Sequence, residues 1–202
     1  MIQAKNEQAL DIDTYSLFIN GKDIDTGDYE YFPYTDKMIT DFLGCREIIK
    51  QLRQGAVPVD YKNYIFARYC VGTFETNTQA IQAAYKASKI FRDFSLEKRF
   101  HILQEIHRRL LAHKEALIKL MIIEGHPRKL AEWEFEGLDV GTRDDTLAFY
   151  RSEMTRKISD IHLRNVYLIR RPDGVVCLSP PKNAAASNSF LAVLVFLAGN
   201  TL

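Results

Sequence analysis

The stretch of sequence that decides the fold is residues 172–183, which read Pro-Asp-Gly-Val-Val-Cys-Leu-Ser-Pro-Pro-Lys-Asn. Its apolar part, 174–179, contains two adjacent valines, a pattern typical of a strand that is buried on both faces of a sheet. Pro180 and Pro181 end this strand, because a proline nitrogen has no hydrogen to donate to a neighbouring strand. Asn183 is therefore expected just beyond the carboxyl end of a strand, where open α/β sheets bind their ligands.

The residues after this turn predict a helix over 187–197. Apolar side chains recur there at helical spacing, at Phe190, Leu191, Leu194 and Leu197. A buried strand, a polar turn and a helix form the first half of a nucleotide-binding α/β unit. The sequence therefore predicts an α/β fold with a ligand site at this turn.

The amino-terminal third of the chain predicts short strands and one helix. Asn20-Gly21 is a strong hairpin signal after a strand that begins near residue 15. Apolar spacing favours a helix over 36–54, which we interpret as an insertion, and a strand over 64–72. None of these elements carries a motif that points to chemistry.

A helical section follows. One helix is predicted over 76–92, and Ser95 can cap the next at its amino end. This helix is expected to continue to Glu124, where Gly125 ends it in the left-handed conformation, and Pro127 can begin another.

Residues 155–171 alternate between apolar and basic side chains, which predicts two antiparallel strands. The turn between them is expected at Ser159-Asp160 or at Arg164-Asn165. A strand edge that is exposed within one subunit is a template for another strand. The alternative is a simple surface hairpin.

The composition is that of an ordinary soluble protein, with 47% apolar and 26% charged residues in a chain of 202. Its net charge of +1 gives no electrostatic reason to expect a nucleic acid or a membrane surface as a partner. No apolar run approaches the roughly 20 residues of a membrane span, and no secretory signal is visible. These features predict a cytoplasmic protein.

The cysteines and histidines do not indicate a metal site. Cys45, Cys70 and Cys177 are odd in number and widely spaced, which argues against a disulfide framework. Cys177, within the predicted strand, is expected to be a small buried residue. The five histidines share no ligand spacing, and neither a Gly-x-Gly-x-x-Gly loop nor a Walker pattern is present.

Two segments that lie far apart in the chain resemble the aldehyde dehydrogenase family. The first contains Ser-Leu-Glu-Lys-Arg at 95–99, Glu-Gly-His-Pro at 124–127 and Ala-Glu at 131–132. The second contains Pro-Asp-Gly-Val-Val at 172–176, the turn that ends at Asn183, and Ala-Gly-Asn-Thr at 198–201. The segments occur in the family's order, so together they are much more specific than either motif alone.

The resemblance implies roles for the turn. Asn183 matches the family's oxyanion-hole donor, although an Asn here can also simply cap the following helix. The cofactor, NAD or NADP, is implied to lie along Ser179, Pro180, Pro181 and Lys182. Lys182 stands where the family usually has Trp, and the alternative for this Lys is a solvated side chain.

The resemblance also implies an organisation of the chain. The expected fold is a partial Rossmann-like cofactor-binding domain of the aldehyde dehydrogenase type, with a helical amino-terminal section and a projecting β-hairpin. Residues 1–154 would form the strands and helices of this domain, 155–171 an oligomerisation hairpin, and 172–202 the first core strand, turn and helix. The sequence stops where another strand is expected, so we interpret it as the amino-terminal fragment of a longer polypeptide.

The implied activity is the oxidation of an aldehyde to a carboxylic acid through a thiohemiacetal and a thioester on a cysteine. That cysteine and the family's general base Glu are expected beyond Leu202. One alternative is a CoA-acylating aldehyde dehydrogenase, because the Pro-Pro-Lys-Asn turn departs from the usual pattern. Another is a non-catalytic remnant or assembly module of the same fold. The implied partners are an aldehyde and further copies of the chain, which pair through residues 155–171.

Overall fold

The computed structural model describes residues 10–161, 164–179 and 184–202. By their contacts these residues form two compact units, one built from the chain up to Ala80 with residues 123–125, the other from the remainder. Within the described residues, no helix combines the length and the apolar character needed to cross a bilayer. The division at residues 154 and 171 expected from the sequence stays a prediction.

The first unit is organised around a small mixed sheet. Its central strand β5 (Ile65–Cys70) pairs in parallel with β1 (Asp13–Tyr15) and antiparallel with β4 (Tyr29–Pro33). The predicted Asn-Gly hairpin is confirmed, between β2 (Leu17–Ile19) and β3 (Lys22–Ile24). Asn20 and Gly21 both have positive φ, 53° and 74°, as the favoured two-residue hairpin turn requires.

The predicted helix over 36–54 is wrong in one respect, because it is broken in two. The pieces are α1 (Thr35–Thr40) and α2 (Phe42–Arg53). Asp41 separates them with a non-helical backbone, and its carboxylate accepts a hydrogen bond from the Gly44 N–H at 3.0 Å. The helix is interrupted at Asp41, and the Asp41 side chain caps the amino end of α2.

The core of the first unit lies between these helices and the sheet. Side chains of α2, of the short helix α3 (Tyr61–Tyr64) and of β5 pack together, namely Ile48, Leu52, Tyr61 and Ile65. The predicted strand over 64–72 is confirmed as β5, shorter by a few residues.

Asp25 links β4 to β5 in this unit through hydrogen bonds. One of its oxygens accepts from the Tyr29 hydroxyl at 2.5 Å, and the other accepts from the Gly27 N–H at 2.9 Å and the Cys70 thiol at 3.3 Å. The hydrogen bond from Tyr29 is the main reason why the pKa of Asp25 lies below its usual range. Burial, together with the same hydrogen bond, raises the pKa of Tyr29 to about 12.

The second unit is mainly helical. Its elements are α4 (Phe74–Phe91, whose first residues belong to the first unit), α5 (Leu96–Ala112), α6 (Lys114–Ile123), α7 (Arg128–Thr142), α8 (Asp144–Met154), β6 (Thr155–Ile161), β7 (Arg164–Ile169) and α9 (Ala185–Leu197). The predicted capping role of Ser95 is confirmed, because its hydroxyl accepts from the Lys98 N–H at 3.2 Å. Gly125 has a φ of +108°, as predicted.

A largely buried ionisable pair joins the turn before α7 to the helix itself. His126 Nε2 lies 3.2 Å from Glu134 Oε1, and both side chains are largely buried. Pro127 is the residue before the first helical position and fixes the direction of the chain into α7.

The predicted hairpin over 155–171 is confirmed as β6 and β7, but its turn lies at neither expected dipeptide. Asp160 pairs with Asn165, and Ile161 pairs with Arg164, so the connection consists of residues 162–163, which lie outside the described residues. Both candidate dipeptides are used for pairing between the strands, and a bulge between Lys157 and Ser159 shifts the register by one residue.

The raised pKa of Tyr29 predicts a loss of stability in alkali. A group whose folded pKa exceeds its unfolded value stabilises the fold fully below the unfolded pKa, and this contribution is lost as the pH rises through the folded pKa. We expect the free energy of unfolding to fall between about pH 10 and pH 12 by up to about 1.4 kcal/mol per pH unit from this residue.

Urea denaturation of the wild type and of Tyr29→Phe across this pH range tests the expectation. The substitution removes the ionisable group, so the decline should be shallower in the variant. A constant offset with identical slopes would contradict it.

Candidate active site

The segment that the sequence identified as a strand pairs with the end of the chain. Val175 forms a parallel bridge with Thr201. The Thr201 N–H donates to the Gly174 carbonyl at 2.9 Å, and the Val176 N–H donates to the Thr201 carbonyl at 2.8 Å. One residue that bonds to both neighbours of its opposite residue is the hydrogen-bond pattern of parallel strands.

The prediction of a continuous buried strand over 174–179 is nevertheless wrong for the described residues. Beyond the bridge at Val175 they are not part of a ladder, and Cys177, expected to be buried, is exposed. The physical reason is the partner, because among the described residues this segment pairs with Thr201 alone. A strand acquires its second face and its ladder from neighbours, not from its own residues.

Asn200 and Thr201 hold this bridge in place with their side chains. Asn200 Oδ1 accepts a hydrogen bond from the Gly174 N–H at 2.8 Å, and Thr201 Oγ1 donates to the carbonyl of Ala84 in α4 at 2.8 Å. Both side chains are buried, with 6% and 8% of their surface exposed. The Asn-Thr pair therefore has a structural function, which ties the start of the 174–176 segment to two helices.

Arg99 stabilises the end of α9, just before Asn200 and Thr201. Its guanidinium donates to the Leu197 carbonyl at 3.3 Å and to the Arg92 carbonyl at 3.0 Å, at the carboxyl ends of α9 and α4. A cation is favourable there because the last carbonyls of a helix are unpaired and carry partial negative charge. Burial lowers the pKa of this guanidinium.

Gly199 allows Arg99 to come this close. Its φ is +88°, and a Cβ at this position would lie 2.6 Å from the Arg99 Cζ. Only glycine satisfies both the left-handed backbone and the missing volume.

Helix α9 packs in the core through a face that overlaps the expected one, because Phe190 and Leu197 belong to both. Val193 and Leu197 are buried with Leu103 and Leu147, and Phe190 packs against the same cluster. Leu191, expected on the inner face, is 43% exposed. Because nearly every side chain of this helix is apolar, its sequence does not specify a single inner face. The packing of α5, α7 and α8 around it decides which side chains are buried.

Of the predicted site residues, the structure describes Ser179 alone. Ser179 is exposed at the end of the described segment. Pro180, Pro181, Lys182 and Asn183 lie outside the described residues. Ala184 is the N-cap of α9, and its side chain makes no capping hydrogen bond. The roles assigned to these five residues of the turn stay predictions.

The geometry defines a class of protein before any relative is considered. A segment that begins parallel pairing and a helix that returns the chain to the residue with which it pairs belong to the repeating unit of parallel α/β proteins. The sequence profile of the aldehyde dehydrogenase family matches residues 54–202, well over half of the chain. The chain belongs to the aldehyde dehydrogenase family.

A curated relative and two solved structures illustrate the likeness. The lactaldehyde dehydrogenase of Methanocaldococcus jannaschii is 31% identical over 110 residues, which are 54% of this chain and 23% of that protein. A 1-pyrroline-5-carboxylate dehydrogenase from Thermus with bound NAD superposes with a TM-score of 0.70 at 15% identity, over 94% of this chain and 33% of that one. The NADP-dependent glyceraldehyde-3-phosphate dehydrogenase of Bacillus halodurans complexed with NADP gives 0.70 at 18% identity, over 93% and 36%.

These structures confirm the predicted fold class, a partial Rossmann-like α/β domain of the aldehyde dehydrogenase type. The chain spans about a quarter to a third of the length of these relatives. Family membership, together with neighbours that were solved with NAD and with NADP, supports an NAD(P) cofactor in general terms.

The sequence did not assign functions to Arg99, Asn200 and Thr201, which organise the site. Arg99 and the Gly-Asn-Thr residues belong to the two segments that carried the family resemblance, 95–99 and 198–201. Their contact across 98 to 100 residues of sequence has no local signal, although a glycine after an apolar helix is a typical helix end.

We expect Gly199→Ala to destabilise the second unit. The variant combines a left-handed alanine, which costs about 1–3 kcal/mol, with a displaced Arg99. The matched control is Gly137→Ala in α7, where a Cβ meets open space and the helix should gain about 0.5–1 kcal/mol. Urea unfolding followed by far-ultraviolet circular dichroism measures both, and equal effects of the two substitutions would refute this role for Gly199.

Proposed function

We propose that this chain is the amino-terminal part of an NAD(P)-dependent aldehyde dehydrogenase that oxidises an aldehyde to a carboxylic acid. The observation that carries the proposal is the pairing of Gly174–Val176 with Thr201, because Asn183 lies in the sequence between this paired segment and helix α9. The family membership of residues 54–202 supports the same reading.

Asn183 is the residue proposed to act on the substrate. Attack of a cysteine thiolate on an aldehyde carbon forms a carbon–sulfur bond and leaves the carbonyl oxygen negatively charged. The Asn183 amide N–H donates to this oxygen, and the amide does not compete for its proton because it does not titrate near neutrality. NAD(P) supplies an acceptor for the hydride that leaves the carbon, and water then cleaves the thioester to the acid.

The residues around the turn are compatible with an anionic cofactor. Helix α9 has no acidic residue in its first turn and no capping side chain among the described residues. Its amino end therefore carries the positive end of the helix dipole without a neutralising carboxylate, which favours a phosphate nearby. Ser179, Pro180, Pro181 and Lys182 are proposed to line the cofactor.

The nucleophilic cysteine and the general base are proposed to lie beyond Leu202. Cys177 is exposed, but it precedes the turn and is not proposed as the nucleophile. We also propose a cytoplasmic location, supported by three cysteines that are all free thiols, two of them buried. Neither a nucleic acid nor a membrane is proposed as a partner, in keeping with the near-neutral net charge.

The test compares aldehyde-dependent NAD(P)H formation by the complete gene product and by its Asn183→Ala variant. Loss of one oxyanion donor should lower kcat by about 10²–10³, equivalent to about 2.7–4 kcal/mol, with a smaller change in KM. The matched control is Asn165→Ala in the hairpin, which should leave kcat unchanged. The 202-residue chain by itself should give no turnover, and turnover from it would refute the assignment.

Two alternatives are separated by simple observations. A CoA-acylating enzyme would form an acyl-CoA in place of the acid, so product analysis with and without CoA distinguishes it. A non-catalytic remnant or assembly module would have no nucleophile, so a downstream coding sequence without a cysteine-containing second half would favour it.

We further propose that the β6–β7 hairpin joins subunits in a homo-oligomer. Every residue of β7 is exposed, and the hairpin presents large apolar side chains to the surface: Ile158, Val166, Tyr167, Leu168 and Ile169. Exposed apolar side chains on an open strand edge favour pairing with another strand.

Leu168→Glu should weaken this association. Burying a leucine is worth about 1.5–3 kcal/mol, so its replacement by a charged residue should raise the dissociation constant at least about tenfold. Light scattering coupled to size-exclusion chromatography gives the mass as a function of concentration. Arg164→Glu, a charge change near the turn, is the control, and an unchanged mass in Leu168→Glu would contradict the proposal.

A further inference from the structure

The first unit contains a cavity of about 340 Å³. None of the residues to which the proposed function assigns a role lines it. It lies between the Gly27–Asp28 turn, the first residues of β4, residues 52–57 at the end of α2, and Arg68 on β5. This volume is within the range of small-molecule sites. Most of its lining precedes residue 54, where the match to the family begins.

Arg68 in the wall of this cavity is held in one orientation. Its Nε donates to Thr14 Oγ1 at 2.9 Å, and its guanidinium carbon lies 3.8 Å from the centre of the Tyr29 ring. The ring is buried, with 8% of the residue exposed, and is fixed by the hydrogen bond to Asp25. Stacking on an aromatic face and an Nε bond leave the two terminal amino groups as a planar pair of donors.

These two amino groups have no hydrogen-bond partner in the part of the chain that the structure describes. A planar pair of donors matches the two oxygens of a carboxylate in a bidentate arrangement. Because the side chain is already ordered, binding a carboxylate would cost little conformational entropy.

The other charges in the wall limit the ligand. Arg53 is paired with Glu30, so these two side chains neutralise each other. Asp28 also lines the cavity, and its carboxylate makes no hydrogen bond or ion pair with the described residues. The cavity thus offers one cationic and one anionic group, while the Asp25 carboxylate beside Tyr29 disfavours a second negative charge on the ligand.

We propose that this cavity binds a small zwitterion, with its carboxylate on Arg68 and its ammonium group towards Asp28. The ligand class is a short amino acid. A dicarboxylate of the same length would place a negative charge beside Asp28, and a monocarboxylate would leave Asp28 without a partner. The site is separate from the turn at Asn183 and does not depend on the proposed dehydrogenase activity.

Isothermal titration calorimetry on the full chain tests the proposal with charge-matched probes. Glycine, β-alanine and 4-aminobutyrate vary the distance between the charges, and propionate and succinate are the monoanionic and dianionic controls. We expect saturable binding of at least one amino acid, at least about tenfold tighter than either control.

The variants Arg68→Gln, Arg68→Lys and Asp28→Asn should each weaken amino acid binding about tenfold or more, since each loses the paired donors or the ammonium partner. The matched control is Arg46→Gln, because Arg46 also lies over an aromatic ring, that of Phe42, but is exposed and outside the cavity. Circular dichroism confirms folding, and if Arg68→Gln does not fold, the other two variants decide.

Three outcomes would overturn the proposal. They are the absence of saturable binding for all three amino acids, tighter binding of succinate or propionate, and equal affinity in the wild type and the Arg68→Lys and Asp28→Asn variants. Failure of dehydrogenase turnover would have no bearing on this site, because the probes report binding alone.

Discussion

The close approach of the Arg99 guanidinium to Gly199 is the contact on which the end of this chain depends. Arg99 bonds to the terminal carbonyls of α9 and α4 and fills the space that a side chain at residue 199 would need. Because these helix ends are fixed, the two residues that follow Gly199 are held in place. Asn200 can then accept a hydrogen bond from Gly174, and Thr201 can donate one to Ala84. Parallel pairing therefore begins at a point set by a partly buried cation rather than by the strand itself.

The same contact explains why the two segments that resemble the aldehyde dehydrogenase family occur together. The residues at 95–99 and 198–201 are remote in sequence, yet Arg99 and Gly199 touch. Each segment needs the other, because an unpaired arginine and a left-handed glycine are unfavourable when buried alone. The resemblance thus reflects one packed structure rather than two independent motifs.

The first unit follows a different principle. Its strands are short, and the Asp25 carboxylate ties β4 to β5 by accepting hydrogen bonds from Tyr29 and Cys70, as well as from the Gly27 N–H. Tyr29 in turn supports Arg68. Helix α2, capped by Asp41, brings residues 52–57 across from β4, and the cavity lies between them. The predicted insertion over 36–54 therefore supplies part of the cavity wall, through Leu52, Arg53 and Gln54.

The sequence by itself determined the elements whose signals are local. The Asn20-Gly21 turn, the Ser95 cap, the left-handed Gly125 and the strand pair after residue 155 all depend on neighbours within a few residues, so each was predictable. Only the tertiary structure decided the rest: the break at Asp41, the turn of the hairpin, the buried face of α9 and the partial pairing of residues 174–179. An apolar run such as that of α9 is compatible with more than one buried face, so the neighbouring helices decide which side chains are buried. A strand needs a partner, so contacts between residues that are remote in sequence decide where it pairs.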